Sequence, residues 1–466
     1  MSFALPQLEY PSLSKRCHEF FSLSGARTRT LRSNFLWNAA GSGTFSLCQW
    51  GILVVFAKLG SATLVGQLVY GLALTVPLFV AGLQLRPIQA TDADKRHTLG
   101  QYLGLRALTT VAALVAAVLA AAALWAAGNP AALIILLWTL SKAVDSGSDA
   151  LYGLFQQSER MDYVGVSLIL RGVLAVAGVA VVFRASHSAP LALGGLALGW
   201  SAVFIVFDIP MARILLHHRV PSTCAPSAVA ETLRPVFDRR QLKPLCFEAA
   251  PLGVVAVLLA IQVQVPRYVV EGFLHTRELG LFSAAAYLTF IGSMLVNALG
   301  APACVRLAQF YVAGAYSAFR QLMTKLLLVA VAIGVAGILV SACAGGRILA
   351  LLYTHEYSRM AGVLTMLCAG SALSYAASFL GYGMTALRRF RIQVPIFVGV
   401  VLITVLSCYW LTRRYGVMGT AAGILIGNFG QLLMSAAVVV RTLQEGSAGD
   451  GSLHPALEGA GPAVST

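Results

Sequence analysis

Between residues 34 and 440 the chain is apolar almost throughout, interrupted every 20 to 30 residues by a short polar stretch. A run of about 20 mostly apolar residues is long enough for a helix to cross a hydrocarbon layer of roughly 30 Å. Such runs are read at 34–57, 63–85, 99–126, 131–156, 163–183 and 191–211. After a polar, basic stretch they resume at 245–265, 279–307, 322–344, 361–387, 392–411 and 416–440. Inside a bilayer every backbone N–H and C=O needs an internal partner, and runs of this length supply one only as helices. The expected fold is therefore an all-α polytopic membrane protein with about twelve transmembrane helices. Composition agrees: 11% of the residues are charged, against about 25% in a soluble domain.

Lys and Arg choose the sides. With the first residues in the cytoplasm, the inner side receives Lys15, Arg16, the Arg27–Arg32 cluster, Arg86, Lys95, Arg96, Arg160, the Arg213–Lys243 group, Arg306, Arg320, Lys325, the 388–391 cluster and Arg441. The outer side receives Lys58, Arg184, Arg267, Arg277, Arg347, Arg359, Arg413 and Arg414. This bias is about three to one, so both the N- and C-termini are expected to be cytoplasmic. The formal charge of +15 is then mostly topology, and no nucleic acid partner is implied. The first apolar run follows a basic, Ser-rich leader without a cleavage-like end, so it doubles as the targeting signal. The outer connections are short ("LGSAT", "GNPA", "RRYG"), leaving no extracytoplasmic domain for soluble chemistry. The eight cysteines are scattered through mostly apolar runs, and neither a metal site nor a disulfide framework is expected.

The sequence repeats itself loosely. "GSATLVGQLVYGLALT" (60–75) aligns with "HTRELGLFSAAAYLT" (275–289) on Gly66 and Gly280. "GGLALGWSAVFIVF" and "GTAAGILIGNFGQLLM" match later in the same order. A six-helix unit used twice would start in the cytoplasm both times, a parallel repeat of the kind that builds two-lobed alternating-access transporters. The expected organisation is a cytoplasmic leader (1–32), an N-lobe (33–212), a cytoplasmic linker (213–241), a C-lobe (242–441) and a disordered Gly/Ser/Ala/Pro-rich tail (442–466).

Charged residues inside the spans are expensive and mark function unless paired. Arg171 lies nine residues beyond Asp162, and Lys142 eleven beyond Ala131. These separations correspond to about 13 and 16 Å along a helix, near the midplane. Two cations at one depth on consecutive helices point to a wet cavity holding an anion, with Arg106 about 10 Å into span three as a third candidate. Asp145, Asp149, Tyr152 and Gln156 share a helix face with Lys142. Asp145 and Asp149 are candidates for H⁺ or Na⁺ coupling. Alternatively, either one pairs with Lys142 as a neutral structural bridge. Asn34, Asn38, Ser42 and Gln49 form a polar stripe on span one. In the second half the stripes are neutral, with Glu248 near the start of span seven as the one exception: Tyr287, Ser293 and Asn297; then Ser371, Ser374, Tyr375, Ser378 and Tyr382; then Asn428 and Gln431. Such groups suit sugar hydroxyls or simply join helices.

The stretch "LYGLFQQSERMDYVGVSLILRG", with "LRSNFLWNAAGSG", "GQLVYGLAL" and "QLRPIQATDA", resembles the polysaccharide-transport flippases. These are the O-antigen and capsule oligosaccharide translocases of the multidrug/oligosaccharidyl-lipid/polysaccharide exporter superfamily. The resemblance covers about residues 30 to 441. It implies a MATE-like V-shaped pair of six-helix lobes around a central cavity, with no enzymatic chemistry and no cofactor. The substrate it implies is an undecaprenyl-pyrophosphate-linked oligosaccharide turned from the cytoplasmic to the periplasmic leaflet of a bacterial inner membrane. Membrane lipids and the glycan polymerase and glycosyltransferase machinery would be its partners. In that setting Arg171 would meet the pyrophosphate, joined by Lys142 and Arg106 on grounds of depth. Two rivals are a cation-coupled multidrug exporter of the same fold, which should lack buried cavity cations, and a polytopic glycan ligase or polymerase, which needs larger outer loops.

Overall fold

The computed structural model describes residues 30–92, 96–129, 131–219, 233–387 and 390–450. The described part is entirely helical: α1 (Leu31–Leu59), α2 (Ala62–Val80), α3 (Leu85–Thr91), α4 (Leu99–Ala126), α5 (Ala131–Gln157), α6 (Met161–Ser186), α7 (Ala189–Val203), α8 (Ile209–Arg219), α9 (Arg239–Leu288), α10 (Phe290–Val312), α11 (Tyr316–Leu352), α12 (Ala361–Ala386) and α13 (Phe390–Asp450). A π-helical turn, Phe204–Asp208, joins α7 to α8, and a 3₁₀ turn, His355–Met360, precedes α12. The expected tail begins inside α13, and its remainder, 451–466, lies outside the described residues, as do most of the leader and much of the linker.

Among the described residues ten helical stretches are long and apolar enough to cross a membrane. Two exceed what one crossing needs. Arg239–Val312 has 74 residues, about 111 Å if straight, and Ile392–Gln444 has 53. Both turn at non-helical residues: His275 (φ 66°) inside α9 and Gly416 (φ 60°) inside α13. Glycine takes a positive φ without strain, which suits the tight turn at 416.

The α9 helix also revises an expectation. The apolar pattern ends at 265, which places Arg267 in an outer connection. The backbone instead stays helical through Pro266 and Arg267 to the break at His275. Hydropathy marks where a run stops being greasy, not where its hydrogen bonding stops.

Local chemistry explains the helix starts. Thr30 and Ser61 accept hydrogen bonds from Ser33 N and Leu64 N, and Thr98 with Gln101 forms a reciprocal capping box ahead of α4. Asp92, between α3 and α4, accepts from the backbone N–H of Arg96 (2.9 Å) and His97 (3.1 Å) and from the Tyr102 hydroxyl (3.2 Å). Burial opposes its charge, but these donors outweigh that effect and hold its carboxyl below the usual carboxylate range. The motif "ERMDY" is a built corner. Arg160 donates to both carboxylate oxygens of Asp162 at 3.0 and 2.9 Å and lies 4.0 Å over the Tyr163 ring. Asn34 accepts from Met161 N at 3.3 Å.

Large apolar side chains cover the outer surface: Val111, Val115, Val118 and Leu119 on α4 are all more than half or nearly half exposed. In water such patches would drive association; in lipid they are the solvated face. The largest buried cluster draws on both halves of the chain, with Phe56, Val65 and Val69 packed together with Leu281, Phe282, Tyr353 and Tyr357. It sits at the end opposite the basic loops. There Trp50 donates to the Tyr353 hydroxyl at 2.9 Å, which donates in turn to the Ala284 carbonyl at 3.0 Å. Nearer the middle, the Tyr268 hydroxyl donates to the Ala73 carbonyl. The two halves are thus sealed together at one end.

Candidate functional site

A cavity of about 300 Å³ lies among α2, α3, α4, α5 and α6, lined by Arg86, Arg106, Lys142, Asp145, Asp149 and Tyr152. Arg86 and Arg106 come from the basic-loop end and Lys142 from mid-helix, so the cavity runs from that rim towards the midplane. Arg106 meets Asp149 at 2.5 Å, and Arg86 approaches the other oxygen of Asp149 at 3.7 Å. Arg86 also donates to Gln156 at 3.2 Å and lies 5.4 Å over the Tyr152 ring. Lys142 donates to Asp145 at 3.0 Å. Asp145 and Asp149 remain 31% and 34% exposed, facing the cavity. The bridge between Lys142 and Asp145 that the spacing allowed is therefore formed, on the wall of a polar cavity rather than within sealed packing.

Arg171 is placed differently from the expectation of direct anion contact. It is completely buried behind that wall, 2.8 Å from Asp145, and its other amine group donates to the Tyr152 hydroxyl at 3.3 Å. Its guanidinium stacks 4.6 Å over Trp200. In this geometry Arg171 holds Asp145 from behind while Lys142 holds it from the front, so its charge reaches the cavity only through that carboxylate. The reason is that its partner sits on another helix, 26 positions earlier in the chain.

The second half supplies a separate cavity of about 530 Å³, whose wall includes Gln262, Arg267, Tyr287, Tyr375, Asn428 and Gln431. Ser293, Ser371, Ser374 and Ser378 also reach it, so most of the neutral stripes read from the sequence converge on one space. Tyr375 donates to the Thr289 carbonyl at 2.7 Å. Asn297 does not line this cavity; it accepts from Tyr382 at 3.2 Å. Asn34 is used in the α5–α6 corner, and neither Asn38 nor Ser42 lines a cavity described here, although Gln49 does. A third cavity of about 190 Å³ is lined by Gln49, Lys142 and Tyr287. It shares Val76 and Lys142 with the first cavity and Tyr287 with the second. The shared residues set the three side by side, with the charged cavity at one end of the row and the hydroxyl- and amide-lined one at the other.

Sequence reading missed three residues. Arg86 was assigned to an inner loop and Arg267 to an outer one, yet both line cavities. Asp208 was passed over as one acid in an apolar run. It is fully buried at the end of the π-helical turn, accepts from Ser148 at 2.7 Å, and leaves its other oxygen without a hydrogen-bond partner. π-turns inside helices recur at functional sites, but that signal is invisible in a sequence. Among the described residues no group of three or more His, Cys, Asp or Glu is placed to hold a metal ion.

The described helices have the fold seen in solved structures of MATE/MOP-superfamily transporters. The chain superposes with a TM-score of 0.67 on an inward-facing multidrug-resistance MATE-family transporter of the MOP superfamily (12% identity, 88% of this chain and 96% of that one). It does so equally on the lipid II flippase MurJ in an inward closed conformation (11% identity, 89% and 90%, TM-score 0.67). A MOP-superfamily transporter from Pyrococcus furiosus follows with a TM-score of 0.60 (13% identity, 89% and 94%). In sequence the chain is 23% identical over 406 residues to the capsular polysaccharide biosynthesis protein CapF of Staphylococcus aureus, covering 86% of this chain and 97% of CapF. No family model matches the chain. The resemblance read from the sequence motifs holds, and the solved structures it superposes on are transporters and a flippase rather than enzymes.

Proposed function

We propose that this protein is an alternating-access flippase that turns an undecaprenyl-pyrophosphate-linked oligosaccharide, an O-antigen, capsule or exopolysaccharide repeat unit, from the cytoplasmic to the periplasmic leaflet of a bacterial inner membrane. Each of the two overlong helical stretches counts as two crossings in this reading. That yields twelve spans in two six-helix lobes with both termini cytoplasmic. The observation that carries the reading is the cationic wall formed by Arg86, Arg106 and Lys142. These three cations face two carboxylates, and Arg171 adds a fourth positive charge behind them. A guanidinium fork matches phosphate oxygens in both charge and shape. An incoming diphosphate would take Arg106 and Arg86 over from Asp149 and Lys142 from Asp145, while its lipid tail stays in the bilayer. The similarity to a capsule-biosynthesis protein and the fold shared with a lipid II flippase support the same substrate class. Asp149, released by that exchange, and Asp145, left with Arg171 as its one remaining ion-pair partner among the described residues, are the groups through which an H⁺ or Na⁺ gradient would act. Glycan polymerase and glycosyltransferase machinery would supply and consume the substrate.

The rival reading as a drug exporter fits less well, since cationic drugs would meet a wall already rich in positive charge. Reconstitution in liposomes separates the two. The wild-type protein should move an undecaprenyl-pyrophosphate-linked glycan between leaflets, and the double variant Arg106→Ala/Lys142→Ala should lose at least tenfold in rate while still inserting. Efflux of a cationic dye without glycan movement would favour the rival and reject this proposal.

A further inference from the structure

The second-half cavity contains a charge that the proposed lipid diphosphate does not use. Every cation on the wall of the first cavity faces a carboxylate within 4.0 Å: Arg86 and Arg106 meet Asp149, and Lys142 meets Asp145. Arg267 is different. It lies eight residues before the break at His275, about 12 Å along the helix axis, and lines the second cavity. Among the described residues it has no carboxylate partner. Its guanidinium donates to the side-chain amide of Gln264 at 2.5 Å and lies 5.8 Å from the Tyr287 ring centroid. Those neutral contacts orient the group without neutralising it. An unpaired charge within a membrane-embedded bundle is costly unless a ligand or water meets it.

The surroundings of Arg267 narrow the ligand. The cavity wall is otherwise neutral and rich in hydroxyls and amides, groups that both donate and accept hydrogen bonds as sugar hydroxyls do. Its volume of about 530 Å³ lies within the range of small-molecule sites, about 300–1,000 Å³. It adjoins the third cavity at Tyr287, and the third cavity adjoins the cationic one at Val76 and Lys142. A ligand whose diphosphate sits among the clustered cations would therefore extend its saccharide into the second cavity, where a single positive charge awaits a single negative one.

We infer that the second-half cavity is a subsite for an acidic sugar, with Arg267 pairing to the carboxylate of a uronic-acid-type unit in the lipid-linked glycan. The inference rests on the lipid-linked glycan reading above and adds the chemical class of the sugar. A planar guanidinium binds a carboxylate through two parallel hydrogen bonds, so the site selects charge and geometry together. A second diphosphate contact is the competing use of Arg267. It is disfavoured because one cation in a neutral wall balances a monoanion, whereas the clustered site has several cations for a multiply charged group.

The test compares three probes on purified protein: undecaprenyl pyrophosphate alone, the same lipid carrying a disaccharide that ends in glucose, and the same lipid carrying one that ends in glucuronate. Wild-type protein should bind the glucuronate carrier about tenfold more tightly than the glucose carrier. Arg267→Gln should reduce that preference to less than twofold without changing affinity for the bare lipid, and Arg267→Lys should restore part of it. Arg106→Ala should weaken all three. Absence of any preference in the wild type, or equal weakening of the bare lipid by Arg267→Gln, would overturn the acidic-sugar subsite. If none of the three lipids binds, the lipid-linked glycan reading itself fails and takes this inference with it.

Discussion

Gly66 and Gly280 pack backbone to backbone: a Cβ on Gly280 would sit 2.8 Å from Gly66 N, and one on Gly66 would overlap the Thr276 carbonyl. These are the two positions on which the halves of the sequence align, and they meet at the end sealed by Trp50, Tyr353 and the shared apolar cluster. Corresponding helices of the two halves, α2 and the final segment of α9, approach here as closely as helices can. A backbone carbonyl cannot rotate out of the way as a side chain does, so any larger residue must push the halves apart.

Gly66→Val should therefore open the seal while leaving each half folded. Overpacking of a tight contact costs about 1–3 kcal/mol, enough to shift a conformational equilibrium by roughly 5- to 150-fold. The measurement is thiol labelling of a Lys142→Cys reporter, in a background stripped of native cysteines, with a reagent that cannot cross the membrane. Labelling from the sealed side should rise at least fivefold in Gly66→Val. Unchanged labelling would show that this contact does not close off the cavity at Lys142.

The pair formed by Arg171 and Asp145 leads to a different expectation. Removing one member of a buried ion pair leaves the other charge uncompensated, at about 3–5 kcal/mol. Asp145→Asn should accordingly lower the unfolding temperature in detergent sharply, because it strands the fully buried Arg171 in packing. Arg171→Met should cost less, because the Asp145 it leaves behind is still paired with Lys142 beside a polar cavity. The double variant Arg171→Met/Asp145→Asn should be more stable than the sum of the single losses predicts, and that coupling measures the pair. Additive losses would mean that Arg171 is held by Trp200 and Tyr152 and not by the carboxylate.

How far these features could be read in advance follows from where their partners lie. The spans were legible because a bilayer imposes length and apolarity on each helix separately, and the cavity face of α5 was legible because Lys142, Asp145, Asp149 and Tyr152 recur at helical spacing. The environment of Arg171 was not, since the carboxylate it meets is on another helix and periodicity speaks only of neighbours on the same one. Arg267 was misplaced for a related reason: Pro266, Arg267 and Glu271 end the apolar pattern but not the helix. The Gly66–Gly280 contact was half legible. The alignment marked both residues as equivalent, while only the fold shows that equivalent positions touch.

Asp149 offers the sharpest test of how the first cavity uses its charges. It binds Arg106 at 2.5 Å and lies 3.7 Å from Arg86, so it competes for the same donors that an entering phosphate would need. If the cluster is an anion site held shut by its own carboxylate, Asp149→Asn should strengthen anion binding, the opposite of what loss of a contact residue normally does. The gain is bounded by the strength of a partly exposed ion pair, about 1 kcal/mol, which corresponds to roughly fivefold in Kd. Calorimetric titration of inorganic pyrophosphate into detergent-purified wild type, Asp149→Asn and Arg106→Ala is the measurement. The expected order of affinity is Asp149→Asn, then wild type, then Arg106→Ala, with the advantage of the first shrinking as salt is raised. An Asp149→Asn protein that binds pyrophosphate no better than wild type would mean that the carboxylate supports Arg106 in place and does not compete for it, and the exchange of Asp149 for phosphate would have to be abandoned.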